Sequence, residues 1–271
     1  MSPLISDGEI HINTPYSRLL GKPPIMVTGM TPSTIKAGFV SAVLDAGYHI
    51  ELAGGGHYNA AALRSKVADI QKQIPPSVGI TLDSLYINPH QFSFQLPLWQ
   101  EMCKEGLLIE GFCVTACVLT TEKAVEIIDG LKAAGIQHVV FKPGSVDGIR
   151  QVINIAAANP NFPIILQWTG GHAGGHHSFE DFHQPILVTY HNICQYDNIG
   201  LITGSGFDFL FASHVMVAKE AHTSSSVKDL IITAAGVEDV AWEGTYTKPT
   251  GGILTVGLSW ENIFISLQHR L

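Results

Sequence analysis

Charge is scarce in this chain. Only 14% of its 271 residues are Asp, Glu, Lys or Arg, and acidic residues outnumber basic ones 23 to 15, giving a net charge of -8 and a pI near 5.9. With so few cations there is no basic stripe to neutralise phosphates along a duplex, so nucleic acid is not the expected partner. Cysteine is scarcer still. Cys103, Cys113, Cys117 and Cys194 form no CxxC pair and no zinc-finger spacing, and they are too few to staple a chain this long. No apolar run is long enough to span a membrane. The first twenty residues mix Ser, Asp, Glu, His and Asn with isolated apolar side chains, unlike a signal peptide. These absences predict a reduced, cytoplasmic protein with neither a membrane nor a nucleic acid to bind.

Apolar residues, by contrast, are plentiful. At 46% of the chain they can fill one large core, and α/β barrels reach this length as a single domain. Short β-rich runs recur at Ile25–Thr28, Ile50–Ala53, Val78–Thr81, Ile109–Val114, His138–Phe141, Ile164–Gln167, Gly200–Thr203 and Phe209–Phe211. Between them, helical patterns cover Ser33–Ala46, Asn59–Gln73, Phe94–Glu105, Thr121–Ala134 and Ser145–Ala158, with a weaker one over Asp181–Tyr190. Ala46-Gly47 and Ala134-Gly135 place glycine where a helix needs a left-handed cap, and Thr120 and Thr121 supply hydroxyls for a helix start. Strands alternating with helices mean a parallel sheet, and their number predicts a TIM-type (β/α)8 barrel over residues 24–220 with an extension over 221–271, the whole forming one domain. One junction fails. Only Gly204 to Asp208 separate the seventh and eighth runs, whereas a parallel crossover needs about a dozen residues. We read residues as missing from the chain near Phe207 and Asp208.

In such barrels the chemistry lies at the C-terminal ends of the strands. Here those ends are rich in glycine, which lets a flat or phosphorylated ligand touch backbone. They read Thr28-Gly29-Met30-Thr31, Gly54-Gly55-Gly56-His57, Lys142-Pro143-Gly144-Ser145, Gly170-Gly171-His172-Ala173-Gly174-Gly175-His176-His177 and Gly204-Ser205-Gly206. The last of these, with Ala212 and Ser213 after the eighth run, occupies the usual phosphate position of the fold, although a GSG alone is equally an ordinary tight turn. Lys142 follows an apolar run directly, which points its ammonium into the barrel mouth toward an anionic ligand edge; the alternative is a surface lysine. His172, His176, His177 and His183 resemble a metal cluster in composition only. Gly174-Gly175 breaks any rigid helix and no HExxH glutamate is present, so no metal is expected. Proton donation suits His176 better, with His177 either a second catalytic histidine or a cap for the following loop. Asp83, Tyr86 and Asn88 after the third run, and Thr115 and Cys117 after the fourth, read equally as rim contacts or loop packing.

Four stretches, Lys22–Pro32, His49–Asn59, Phe141–Gly148 and Gly170–His183, together resemble the enoyl reductase region of the fungal-type fatty acid synthase β subunit, and the likeness continues through Val215–Ala221 and Tyr246–Val256. The Ala173-Gly174-Gly175-His176 segment is also similar to one in bacterial flavin-dependent enoyl-acyl carrier protein reductases and in nitronate monooxygenases. The resemblance implies a barrel holding FMN at its strand C-termini, NADPH as reductant, and an enoyl thioester carried on acyl carrier protein within a fatty acid synthase assembly of further domains and α subunits. On that reading Thr28, Gly29, Met30 and Lys142 frame the flavin ring, Gly54, Gly55, Gly174 and Gly175 also line the cofactor site, with the Gly174 and Gly175 amides assisting as an oxyanion site, Gly204, Ser205, Gly206, Ala212 and Ser213 hold the phosphate, and His176 with His177 serves catalysis. His172 and His214 stand where the family's pattern has arginine, so an anion contact by those arginines does not carry over. The family also has more residues between strands seven and eight and after Val256. A nitronate monooxygenase-like flavin oxidase and a non-catalytic structural barrel are the competing expectations.

Overall fold

In a computed structural model, the alternation of apolar runs and capped segments becomes a parallel sheet wrapped by helices. The structure describes residues 2–6, 9–31, 33–116, 118–170, 178, 180, 183–204, 210–211 and 213–233. An antiparallel hairpin, β1 (Ser2–Ser6) and β2 (Glu9–Asn13), leads into a short helix α1 (Pro15–Leu20). Eight parallel strands follow: β3 (Met26–Val27), β4 (His49–Ala53), β5 (Ile80–Leu85), β6 (Ile109–Thr115), β7 (His138–Phe141), β8 (Ile164–Thr169), β9 (Ile199–Gly204) and β10 (Leu210–Phe211). They lie in the order β10-β3-β4-β5-β6-β7-β8-β9, and β9 also touches β10, so the sheet curls round on itself as a TIM-like barrel. Helices α2 (Ala37–Asp45), α3 (Ala60–Gln71), α4 (Pro89–Lys104), α5 (Thr121–Ala134), α6 (Val146–Ala158) and α7 (His183–Ile193) fill the six crossovers from β3 to β9, and α8 (Ser225–Thr233) follows the barrel.

Two cores arise from strand alternation. Phe112 and Val114, Val139 and Phe141, and Ile164 and Leu166 face outward onto the helices, where they meet Leu63, Trp99, Ile128 and Val152. Their neighbours Cys113, Val140 and Ile165 turn inward with Met26 and Ile202 to fill the barrel. Strands apolar on both faces are the signature of a covered parallel sheet. Each large side chain so buried is worth about 1.5–3 kcal/mol. Trp99 also donates its indole N–H to the Gly111 carbonyl at 2.9 Å, so its one polar atom is not stranded in the core.

The elements start and stop for local reasons. Asn59, Asn88, Thr120 and Ser145 each accept a backbone N–H at the head of α3, α4, α5 and α6. Gly135, at φ 88°, ends α5 in the left-handed region. Strand β7 and helix α5 have the bounds their sequence predicts.

Elsewhere the structure departs from expectation. The expected helix over Ser33–Ala46 is a 3-10 turn (Ser33–Ile35) and then α2, because Lys36 between them is extended. Helix α4 begins five residues before Phe94, at Pro89, since Asn88 caps it and Pro89 tolerates a first-turn position. Strand β5 starts later than Val78 and runs on to Leu85, its polar Asp83 and Ser84 held by ladder pairing with β6.

The N-terminal segment, for which the sequence pattern named no element, forms the β1–β2 hairpin and α1. Thr14 and Ser17 cap α1 reciprocally, at 3.0 and 2.9 Å, and buried Tyr16 packs into the inner core at the N-terminal end of the barrel. Gly200, at the start of β9, makes room for it: an added Cβ would lie 3.2 Å from the Tyr16 Cα. At the other exception, β9 to β10, only residues 205–209 intervene, leaving no room for the helix found at every other crossover.

Candidate active site

Inward-facing positions near the C-terminal ends of six strands bring charged and polar side chains together inside the barrel. Lys142, just past β7, reaches inward as expected, and side chains from the neighbouring strands surround it. Its Nζ donates to Glu51 Oε2 at 2.7 Å, Asp83 Oδ2 at 2.7 Å and Thr28 Oγ1 at 3.1 Å, which uses all three of its protons. Two buried carboxylates thus balance the Lys142 charge inside the barrel. Glu51 Oε2 also accepts the Gly29 N–H at 2.8 Å and the Thr28 hydroxyl at 3.2 Å, while Gln167 Nε2 donates to Thr28 Oγ1 at 2.9 Å. Thr115 donates to Asp83 Oδ1.

Two carboxylates sharing one ammonium in a dry interior cannot ionise alike. Burial alone would raise both. At Glu51 the Lys142 charge and hydrogen bond, with the Gly29 amide, prevail and hold its carboxyl below the ordinary value. At Asp83 burial prevails over Lys142, and the neighbouring Glu51 charge adds to it, so its carboxyl is raised. Lys142 is held well above its ordinary value, burial being outweighed by Asp83, Cys113 and Glu51. Burial first, then Glu51, pushes the Cys113 thiol well up, which leaves no thiolate nucleophile there.

The glycines at this end are sites of close approach. A side chain at Gly29 would collide with the Asp83 carboxylate, and one at Gly54 would come within 2.6 Å of the Asp83 carbonyl. Gln95 Nε2 ties down the loop after β4 by donating to the carbonyls of Gly54 at 2.9 Å and His57 at 3.2 Å, and its Oε1 accepts from Ser84 at 2.7 Å. Gln91 reaches the Gly55 carbonyl at 3.5 Å. The Met30 N–H donates to Thr34 Oγ1 at 2.7 Å, and Gly204 ends β9 in register with Thr169.

Gly174, Gly175, His176, His177, Ser205, Gly206, Ala212 and Cys117 lie outside the described residues, as does His172. Ser213 opens a 3-10 turn (Ser213–Val217) directly after β10. Ser178, two residues beyond His176, is buried at the same rim: its N–H meets the Thr169 carbonyl at 2.9 Å and its hydroxyl the Gly144 carbonyl at 2.8 Å. Glu180 accepts the Val146 N–H at 3.1 Å, at the positive end of α6. Thr28, Gly29, Gly54 and Lys142 thus meet in one place, joined by Glu51 and Gln167, which sequence reasoning passed over. Their signal was a charged or amide side chain inside an otherwise apolar strand.

His57, only 4% exposed, has no partner for Nε2, and burial, then the Lys66 charge, lower its pKa from 6.5 to about 4. The unfolded chain takes up this proton below about pH 6.5 and the folded chain does not, so stability falls as pH drops from 6.5 toward 4. We expect about 2 kcal/mol to be lost over that window through His57. Urea midpoints measured across it should slope less for His57→Gln than for the parent, and equal slopes would refute the assignment.

Fold and site together define a parallel α/β barrel whose strand C-termini carry a charge-compensated, glycine-lined floor. A family profile described as fatty acid synthase subunit beta/Fas1-like, helical, matches residues 163–209 and 208–264, two stretches that meet at the short β9–β10 junction. Fatty acid synthase 2 of Mycosarcoma maydis is 50% identical over 275 positions, covering 92% of this chain and 7% of that protein. The fatty acid synthase β subunits of Schizosaccharomyces pombe and Saccharomyces cerevisiae are 46% and 44% identical, each over 92% of this chain and 13% of their own length. This chain belongs to the fungal fatty acid synthase β-subunit family, and it spans a small part of the relatives it matches. An alignment of 275 positions that takes in 92% of 271 residues also means that the Mycosarcoma protein has residues this chain lacks. Among solved structures, the enoyl reductase domain of MlnA from the macrolactin biosynthesis cluster of Bacillus amyloliquefaciens shares the fold, with a TM-score of 0.57 over 82% of this chain and 61% of that one at 9% identity. Among the described residues no helix is long and apolar enough to cross a membrane.

Proposed function

We propose that this chain is the FMN-binding, NADPH-dependent enoyl reductase domain of a fatty acid synthase, reducing trans-2-enoyl groups on acyl carrier protein to saturated acyl groups. The observation that carries the reading is the floor at the strand C-termini, where Lys142 is balanced between Glu51 and Asp83 beneath glycine-flanked loops. Its donor set fits a flavin. Glu51 Oε1 and Gln167 Oε1 are buried acceptors with no protein partner, and a ring bearing an N–H donor supplies what they lack. FMN, when bound, supplies hydride transfer between a nicotinamide and the β-carbon of a conjugated thioester.

The chain's own residues do the rest. Thr28, Gly29, Met30, Gly54, Gly55 and Lys142 orient the ring, with the Lys142 charge held in place by Glu51 and Asp83. Gly204, Ser205, Gly206, Ala212 and Ser213 hold the phosphate through backbone amides. His176 holds the proton delivered to the α-carbon, the amides of Gly174 and Gly175 stabilise the thioester oxygen, and His177 supports the loop. Acyl carrier protein and the other parts of the synthase are the partners on this reading.

Anaerobic stopped flow tests it directly. Holoprotein should be yellow, should bleach on NADPH, and should regain colour on a crotonyl thioester in preference to oxygen with a nitronate. Preference for the nitronate would make it an oxidase. A colourless protein that takes up no FMN would make the barrel structural.

A further inference from the structure

A second cluster of titratable groups lies inside the barrel at the opposite end from the proposed flavin site. Strand β6 carries an irregularity there: Ile80 pairs with Ile109 but Thr81 pairs with Gly111, so Glu110 is an extra residue that the bulge turns out of the ladder. Its carboxylate meets His49 of β4, with Nδ1 3.7 Å from Oε1, and the His49 and His138 rings lie 5.5 Å apart. One ligand atom from each of His49, Glu110 and His138 falls within 4.8 Å of the others. Glycines clear the space, since a side chain at Gly79 would collide with Glu110 and one at Gly111 with His138.

We propose that His49, His138 and Glu110 form a site for a divalent transition-metal ion of the zinc type, which joins β4, β6 and β7 at the N-terminal end of the barrel. Two imidazoles and a carboxylate are a donor set zinc accepts. The independent observation is that Nδ1 of His138 is buried with no hydrogen-bond partner, while Nδ1 of His49 faces only the Glu110 carboxylate at 3.7 Å, beyond hydrogen-bond length, in residues only 1% exposed. His138 Nε2 is engaged by Thr81 Oγ1 at 3.2 Å, the outer contact that fixes a ligating ring and leaves its other nitrogen available.

Lys22 now balances Glu110, with Nζ 2.8 and 2.9 Å from its two oxygens. Its side chain is 11% exposed, so it has solvent to withdraw into, and the incoming ion brings twice its charge. An ion here and the Lys22 ammonium therefore compete for one carboxylate.

That competition makes the proposal testable with Co2+ alone, added to the full chain and followed by its visible absorption. We expect one bound ion. Affinity should fall about 100-fold or more in His49→Gln and in Glu110→Gln and rise about tenfold in Lys22→Met. His172→Gln and His183→Gln, in the histidine-rich stretch of sequence, should leave the signal unchanged. Since the buried variants are at risk of misfolding, the unaltered chain and Lys22→Met decide the matter. No stoichiometric Co2+ uptake by either, or uptake abolished by His172→Gln or His183→Gln, would overturn the proposal and leave Lys22 as the counter-ion of Glu110 among the described residues. Neither outcome depends on FMN or on turnover.

Discussion

His176→Ala is expected to divide the two halves of the reaction. Reduction by NADPH needs no proton from the protein at the substrate carbon, so the rate of bleaching should match the parent. Recovery of colour on an enoyl thioester needs a proton at the α-carbon and should slow by about 100- to 10,000-fold, the usual worth of a positioned acid. His177→Ala should change that step little. Ser178 gives this expectation its structural footing: its hydrogen bonds to Thr169 and Gly144 pin the chain after His176 to the rim formed by β7 and β8. Equal reoxidation rates in His176→Ala and the parent would remove the histidine from the mechanism, and a parallel loss of both halves would point to failed flavin binding.

Much of the barrel was legible because local signals agreed with one another. Helix α5 has a hydroxyl at its head and Gly135 at its tail, and its bounds followed from those two residues. The N-terminal hairpin and α1 lacked such force. They are short and mixed in polarity, and Tyr16 is fixed by a core that the other strands build. Helix α2 misled in the opposite way, because its apolar period runs on through Lys36, whose extended backbone breaks it. At the site, glycine-rich strand ends pointed to the face where Thr28, Gly29, Gly54 and Lys142 meet. The partners of Lys142 were hidden, since Glu51, Asp83 and Lys142 lie 32 and 59 positions apart in sequence and only barrel closure brings them together. The same holds for His49, Glu110 and His138. A bulge defined by strand register, which sequence period does not reveal, turns the carboxylate toward the two rings.

Charge sharing on the barrel floor sets the second large effect. Lys142→Met strands Glu51, wholly buried, and Asp83, 6% exposed, with no cation between them, and should destabilise the fold by about 3–5 kcal/mol. Asp83→Asn should cost far less. Asp83 is the member of the pair whose carboxyl is raised, so the amide removes the more weakly held charge, keeps an acceptor for the Thr115 hydroxyl, and leaves one carboxylate for one ammonium. The two changes should therefore not add. With Asp83→Asn already present, Lys142→Met strands one carboxylate rather than two, and the double variant should be more stable than the sum of the singles by about 0.5–3 kcal/mol. Urea unfolding of the parent, both singles and the double gives this coupling directly. Strict additivity would mean that Asp83 and Lys142 act independently, and the proposed role of the balanced floor in orienting a flavin would lose its physical basis.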